Sequence, residues 1–366
     1  MGDMSLAAVA VDSCKTELRE FRIPEIAPDA GLLKVTVTGI CGADWPMYVN
    51  EKPGPRILGH EIIGTIEKLG SVAGERWGVK LGDLVALEEY LPCGYCDFCR
   101  SGEYRSCFET DTRLSGKIRY GSTPIATAPA LWGGYSQYLY LHPRTVMHPV
   151  PAGVAPHIAA MALPIGNGFQ WAYLDWKAGP GKTIVIQGPG QQGLGCVVAA
   201  KAAGATNIIL AGLSRDDHRL AVGTALGAHH VVAVDKEDLA EVVTRATQGR
   251  GADIVIECSG AGPDVTNRAI ALVRKRGTLI VPAAKGPIDG FDIERLIGRQ
   301  IVLRGTRGHS YEAVELALGT MAGGAFPLEK MSSHVLGLRE LHDALWMVGG
   351  MAEERAIHIS IAPWKT

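Results

Sequence analysis

Apolar and polar positions alternate along the first 155 or so residues in short runs such as "LLKVTVTGI", "IIGTIEKLG" and "DLVALEEY", separated by glycine-containing turns. Period-two alternation in a stretch rich in Gly, Pro and β-branched residues predicts a compact, mostly antiparallel β domain. From about residue 156 the rhythm changes. Short apolar strand candidates, "KTIVIQ", "TNIILAG", "HHVVAV", "ADIVIECSG" and "GTLIVP", follow one another, and each of the first four is trailed by a helical pattern. That succession predicts repeated βαβ units and a parallel, doubly wound sheet over residues 156–305. Beyond residue 305, "SYEAVELALGTMAGG" and "LRELHDALWMVGG" give two amphipathic helices around the strand-like "SSHVLG". This tail breaks the alternation, so it is expected to return to the first domain. The expected division is 1–155 completed by 306–366, with 156–305 inserted.

A chain of 366 residues exceeds what one hydrophobic core usually supports, in keeping with two domains. Its formal net charge of −2, without any long Lys/Arg run, gives no electrostatic footprint for nucleic acid or an anionic membrane. Small-molecule partners are expected. No stretch is apolar enough to span a bilayer, and "MGDMSLAAVAVDSCK" lacks the basic region of a secretory signal, so a cytoplasmic location is expected. In that reducing setting eight cysteines point to metal or catalysis rather than to disulfides. Cys14, Cys196 and Cys258 stand apart, the last two among apolar residues as buried small hydrophobes.

Four cysteines are concentrated in "PCGYCDFCRSGEYRSC". Cys93, Cys96 and Cys99 stand at two successive Cys-x-x-Cys steps and Cys107 follows after seven residues. Short steps let one loop supply the tetrahedral corners that zinc prefers, and four thiolates leave no corner for substrate. Spacing and compartment favour a structural zinc over an iron–sulfur centre or a redox dithiol.

"IVIQGPGQQGLG" sets Gly188, Gly190 and Gly193 in a G-x-G-x-x-G pattern between a strand and a helix that opens with Gln191 and Gln192. Such a turn permits close approach of a dinucleotide pyrophosphate to the helix N-terminus. In an NAD enzyme the following strand ends in an acid that grips the adenosine ribose. Here Gly212 takes that place, and Ser214, Arg215 and Arg219 follow, which tilts the expected cofactor from NAD toward NADP. Asp216 and Asp217 nearby blunt that tilt.

Three stretches carry candidate chemistry: "GICGAD" with Cys41 and Asp44, "LGHEIIG" with His60 and Glu61, and "ALEEYLPC" with Glu88 and Glu89. Taken singly, each has a plain reading as a buried thiol, a loop histidine or a solvated strand end. Together with "GGYSQY", the cysteine loop and the glycine turn, their order resembles the zinc-containing medium-chain dehydrogenase/reductase family, which includes alcohol, sorbitol and threonine dehydrogenases. The resemblance covers nearly the whole chain. It implies a GroES-like catalytic domain, split between the chain's two ends, around an inserted Rossmann domain. It further implies a homodimer or homotetramer. By position, Cys41 and His60 resemble catalytic zinc ligands, Glu61 the acid that can approach the metal, and Asp44 the carboxylate that orients the histidine.

Two residues depart from the family pattern. Ala43 stands where a Ser or Thr hydroxyl passes the alcohol proton onward, and Leu163 stands where a third ligand is expected. Cys41, His60 and Glu61 with a water would still complete a tetrahedron. The alternatives are a site that binds zinc weakly or not at all, and Asn167 as a poor substitute ligand. Trp45, Tyr48, Trp132, Phe169 and Trp171 suggest a wide apolar pocket, or equally well core packing. His142, His148 and His157 are expected at the surface or a domain junction, and His309, just past the last strand of the inserted domain, has no chemical role. The expected activity is NAD(P)-dependent, zinc-assisted interconversion of a bulky secondary alcohol and a ketone or aldehyde. The rivals are a zinc-independent enone or quinone reductase and a non-catalytic nucleotide binder.

Overall fold

The computed structural model describes residues 4–50, 54–111, 113–114, 116–282, 286–353 and 355–365. The chain forms two compact units, Met1–Leu163 with Ser332–Thr366, and Pro164–Met331. Among the described residues no helix is long and apolar enough to cross a membrane.

The first unit is built on a seven-stranded sheet. Its path runs Ser332–Leu336, His358–Ile361, Gly31–Gly39, Glu61–Leu69, Leu84–Leu87 and Met147–Pro149, and Tyr138–Leu141 also pairs with Gly31–Gly39. All pairings are antiparallel except that between the two C-terminal strands. The alternation read from the sequence follows from this: Leu33, Val35, Ile62, Ile66, Val85 and Leu87 share one buried cluster. A smaller sheet of Lys15–Arg22, Met4–Asp12 and Arg56–Ile57 stands beside it.

The second unit holds a six-stranded, wholly parallel sheet in the order His230–Ala233, Asn207–Gly212, Thr183–Gln187, Ala252–Glu257, Val273–Val281 and Val302–Gly305. Helices Gln191–Ala202, Asp217–Leu226, Leu239–Thr247 and Pro263–Leu272 follow the first four strands in sequence. This is the doubly wound arrangement expected from the apolar runs. Cys196 on the first of these helices is fully buried, whereas Cys258 is only half-buried.

The division of the chain differs from the expected one. The units separate after Leu163 and Met331 rather than after 155 and 305. Residues 308–310 explain the shift: Trp171 Nε1 donates to Gly308 O at 3.0 Å, His309 Nδ1 lies 2.9 Å from Asn167 Oδ1, and Ser310 N donates to Gln170 Oε1 at 2.9 Å. Helix Tyr311–Ala322, whose buried face is Ala313, Val314, Ala317 and Leu318, packs on the π-helical turn Phe169–Leu174. Only the part from Ser332 onward returns to the first unit.

Candidate functional site

The four-cysteine loop leaves the end of strand Leu84–Leu87. Cys99 Sγ lies 3.9 Å from Cys93 Sγ and 3.5 Å from Cys96 Sγ, and all four sulfurs fall within 4.8 Å of one another. Zinc–sulfur bonds of ~2.3 Å at tetrahedral angles make edges of about 3.8 Å, so these sulfurs already outline a zinc cage. Burial pushes the Cys99 thiol up to about 12. Cys93 also feels desolvation, but hydrogen bonds from the amides of Tyr95 and Cys96 and from the Cys96 and Cys107 thiols together outweigh it and bring that thiol down to about 6. Glu88 anchors the loop to the sheet, accepting from Tyr104 OH at 2.7 Å and lying 3.2 Å from His148 Nε2. Both Glu88 and His148 are completely buried, which corrects the solvated-strand and surface readings of these two residues.

The second cluster forms where strands Gly31–Gly39 and Glu61–Leu69 meet. Gly39 pairs with Glu61, so the register brings Cys41, just past one strand, to His60 and Glu61 at the start of the other. One donor atom from each of these three residues lies within 4.8 Å of the other two. A thiolate, an imidazole and a carboxylate are a donor set suited to zinc. Asp44, completely buried, ties the cluster together: its Oδ2 accepts from Cys41 N at 3.0 Å and from Tyr135 OH at 2.9 Å. Its Oδ1 lies 3.3 Å from His60 Nδ1, close enough to steer the ring though not aligned as a hydrogen bond.

Two further carboxylates are braced around the histidine. Glu61 Oε2 lies 3.3 Å from His358 Nε2, and both residues are buried. A Cβ on Gly39 would fall 2.6 Å from that His358 nitrogen, so only glycine leaves room for the pair. On the other side, Glu89 Oε2 lies 3.9 Å from His60 Nε2, while Glu89 Oε1 pairs with Arg119, whose guanidinium sits 4.6 Å over the Tyr90 ring. Burial, then the charge of Glu61, raises the Cys41 thiol. Burial alone would depress His60, but Asp44 and Glu89 outweigh it and raise the imidazole well above its ordinary value. A cation must displace both protons to bind, so its hold strengthens as pH rises.

Asp44→Asn keeps the size of the side chain and removes its charge. Metal affinity at the Cys41 cluster is expected to fall roughly 10–100-fold, the range seen when a partner of a metal-bound histidine is lost. Competition with a chromogenic chelator measures this, and an unchanged affinity would show that Asp44 does not position His60.

The chain carries no donor at Leu163, which is buried at 4 % exposure. Asn167 is engaged elsewhere, donating to Gln192 Oε1 at 3.0 Å and facing His309 with its carbonyl. His309 is accordingly a buried polar residue, only 1 % exposed, within the second unit. The aromatic residues are largely committed to packing. Tyr48 is buried and its OH lies 2.6 Å from His342 Nδ1, Trp45 meets Trp346 edge-on at 5.5 Å, and Trp132 sits in the β core beside Tyr120 and Tyr140. Sequence reasoning assigned no role to Tyr135, Arg119 or His358. Tyr135 stands in "GGYSQY", a motif that was in view, whereas Arg119 and His358 carry no local signal.

In the second unit the glycine turn has the form expected of a dinucleotide site. Gly188 adopts φ +99°, and a Cβ there would strike Ser259 Cα at 2.6 Å. A Cβ on Gly193 would run into the Gly188 carbonyl, whereas Gly190 faces open space. The open face lies at the N-terminus of the twelve-residue helix Gln191–Ala202, where backbone N–H groups and the helix dipole favour a phosphate. Gln191 is buried, and the Gln192 side chain accepts from Asn167 Nδ2 at 3.0 Å. Gly212 ends its strand as expected. Ser214 N donates to Asp235 Oδ1 at 2.7 Å and its hydroxyl to Asp235 Oδ2, while Arg215 is exposed.

Residues 27–152 match the alcohol dehydrogenase GroES-like domain and residues 193–322 the zinc-binding dehydrogenase domain. A probable alcohol dehydrogenase of Mycobacterium tuberculosis (strain ATCC 25618 / H37Rv) is 34% identical over 339 residues, 91% of each chain. D-arabitol-phosphate dehydrogenase of Enterococcus avium is 33% identical over 334 residues, covering 89% of this chain and 88% of its own. The crystal structure of an alcohol dehydrogenase from Thermotoga maritima superposes with a TM-score of 0.86 at 25% identity, covering 99% of this chain and all of that one. With two clusters of donors that could hold a metal ion and a glycine turn opening a helix, the chain is an oxidoreductase that belongs to the zinc-containing medium-chain dehydrogenase/reductase family.

Proposed function

We propose that the protein interconverts a secondary alcohol and its ketone, or an aldehyde, with a zinc ion held by Cys41, His60 and Glu61 and with a nicotinamide dinucleotide bound at the Gly188–Gly193 turn. The observation that carries this reading is the convergence of those three donors within 4.8 Å, with buried Asp44 beside the histidine. When bound, zinc would act as a Lewis acid on the substrate oxygen and the nicotinamide would carry the hydride.

The remaining chemistry falls to the chain's own side chains. Asp44 sets the direction of the His60 ring, and Tyr135 holds Asp44 by donating to it. Glu61, braced by His358, and Glu89, braced by Arg119, place two carboxylates near His60. Ala43 offers no hydroxyl, so the alcohol proton must leave through water, a carboxylate or the cofactor ribose. The Arg119–Glu89 pair also makes the surroundings of His60 polar. Because Trp132 and Tyr48 serve the core, the case for a bulky apolar substrate loses most of its support. A hydroxylated secondary alcohol fits better, in line with relatives named D-arabitol-phosphate and sorbitol dehydrogenase.

Leu163 and Ala43 favour the second reading, a reductase of enones or quinones that needs no catalytic metal. Turnover of a panel of secondary alcohols and polyols, followed by nicotinamide absorbance, separates the two. Activity lost to a strong chelator and restored by zinc supports the first reading. Chelator-insensitive reduction of enones would support the second.

A further inference from the structure

Cofactor choice in a doubly wound sheet usually rests on an acid at the end of the second strand, which binds the adenosine ribose hydroxyls and repels a 2′-phosphate. The second strand here ends in Gly212, and an acid at that position cannot be accommodated. A Cβ on Gly212 would lie 2.7 Å from Pro189 Cγ and 2.9 Å from Pro189 Cδ, inside the glycine turn itself. The proline of "GPG" therefore excludes an acid at position 212.

The neighbouring strand compensates. Gly212 pairs with Ala233 at the end of His230–Ala233, and Val234 N donates back to Gly212 O at 2.9 Å. The chain is thus held against the strand end as it leaves, and the next residue is Asp235. Its carboxylate takes both donors of Ser214, the backbone N–H at 2.7 Å and the hydroxyl. Those are two of the groups a 2′-phosphate would need in this loop. The hydroxyl first, and the amide second, hold the Asp235 carboxyl below its ordinary range, so it is ionised at neutral pH. Arg219, a further basic residue in the loop, is directed to Asp216 at 3.4 Å.

We propose that Asp235 is the specificity-determining residue for the dinucleotide: from the turn that follows the adjacent strand it supplies the negative charge that Gly212 lacks, and the site selects NAD over NADP. This rests on the reading of the Gly188–Gly193 turn as a dinucleotide site, and it reverses the tilt toward NADP suggested by Ser214 and Arg215 in the sequence. A phosphate brought to Ser214 would have to displace the Asp235 carboxylate or lie beside it, and like charges so placed oppose binding. Exposed Arg215 would gain a role only once that carboxylate is gone.

The test is direct titration of the purified full-length protein with NADH and, separately, NADPH, read by cofactor fluorescence with no substrate present. The wild-type protein is expected to bind NADH more than about 10-fold more tightly than NADPH. Asp235→Asn is expected to narrow that ratio at least tenfold, chiefly by tightening NADPH. Adding Arg215→Ala to that variant should remove the gain. Wild-type protein that binds NADPH as tightly as NADH overturns the proposal without any variant being needed, and so does an unchanged ratio in a folded Asp235→Asn protein. Failure to bind either dinucleotide would overturn the proposal together with the dinucleotide reading beneath it, and that outcome is distinct from a lost preference.

Discussion

Cys41→Ala is expected to lose the metal ion of the Cys41 cluster and to cut alcohol-dependent nicotinamide reduction by more than about 100-fold, because losing even an outer partner of a metal ligand costs up to that much. The thiolate is one of three protein donors, and Leu163 leaves no fourth to take its place. The fold should survive. Asp44 holds residue 41 through its backbone N–H, a bond that alanine keeps. Metal analysis and steady-state kinetics on the same preparation decide the matter, with thermal melting as the control for folding. Full turnover in a correctly folded variant would remove the metal from the mechanism.

The second large effect is structural. Cys107→Ser is expected to release the other zinc and to lower stability by about 4 kcal/mol or more, the range in which loss of a structural metal falls. The loop has little core of its own: Tyr95, Phe98 and Phe108 are exposed, and the rings of Phe98 and Phe108 meet edge-on at 5.9 Å. Cys107 is its buried corner, 2 % exposed, accepting from Cys93 N at 3.4 Å. A serine oxygen is shorter and harder than the sulfur it replaces. Metal content one ion per chain lower, a reduced melting temperature and protease cleavage between residues 93 and 107 should appear together. An unchanged melting curve with full metal content would show that the four sulfurs do not form a stabilising cage.

How far the sequence foretold these features depended on whether the causal contacts were local. Cys-x-x-Cys spacing, the glycine turn and the change from period-two to βα rhythm are set by neighbouring residues, and the structure reproduces them. Strand Val302–Gly305 is a four-residue sheet edge in which apolar Val302 and Leu303 adjoin and are both exposed, so the sequence gives it no period-two alternation. The return of the chain at Ser332 rather than 306 depends on Gln170, Trp171 and Asn167 meeting residues 308–310, about 140 positions away. The candidate metal site shows the same limit. Cys41, His60, Glu61 and Asp44 were legible from their motifs. His358 reaches Glu61 only because Ser360 pairs with Gly39 and Gly39 pairs with Glu61. Glu89 read as a solvated strand end because nothing nearby in the chain announced Arg119.

The proposed chemistry requires a cation at Cys41 and His60 in addition to one among the four cysteines. Anomalous diffraction at the zinc edge from metal-replete crystals tests it directly. Two peaks per chain are predicted, one inside the sulfur cage and one within bonding distance of Cys41 Sγ and His60 Nε2. A single peak, confined to Cys93, Cys96, Cys99 and Cys107, would show that Cys41 and His60 hold no metal.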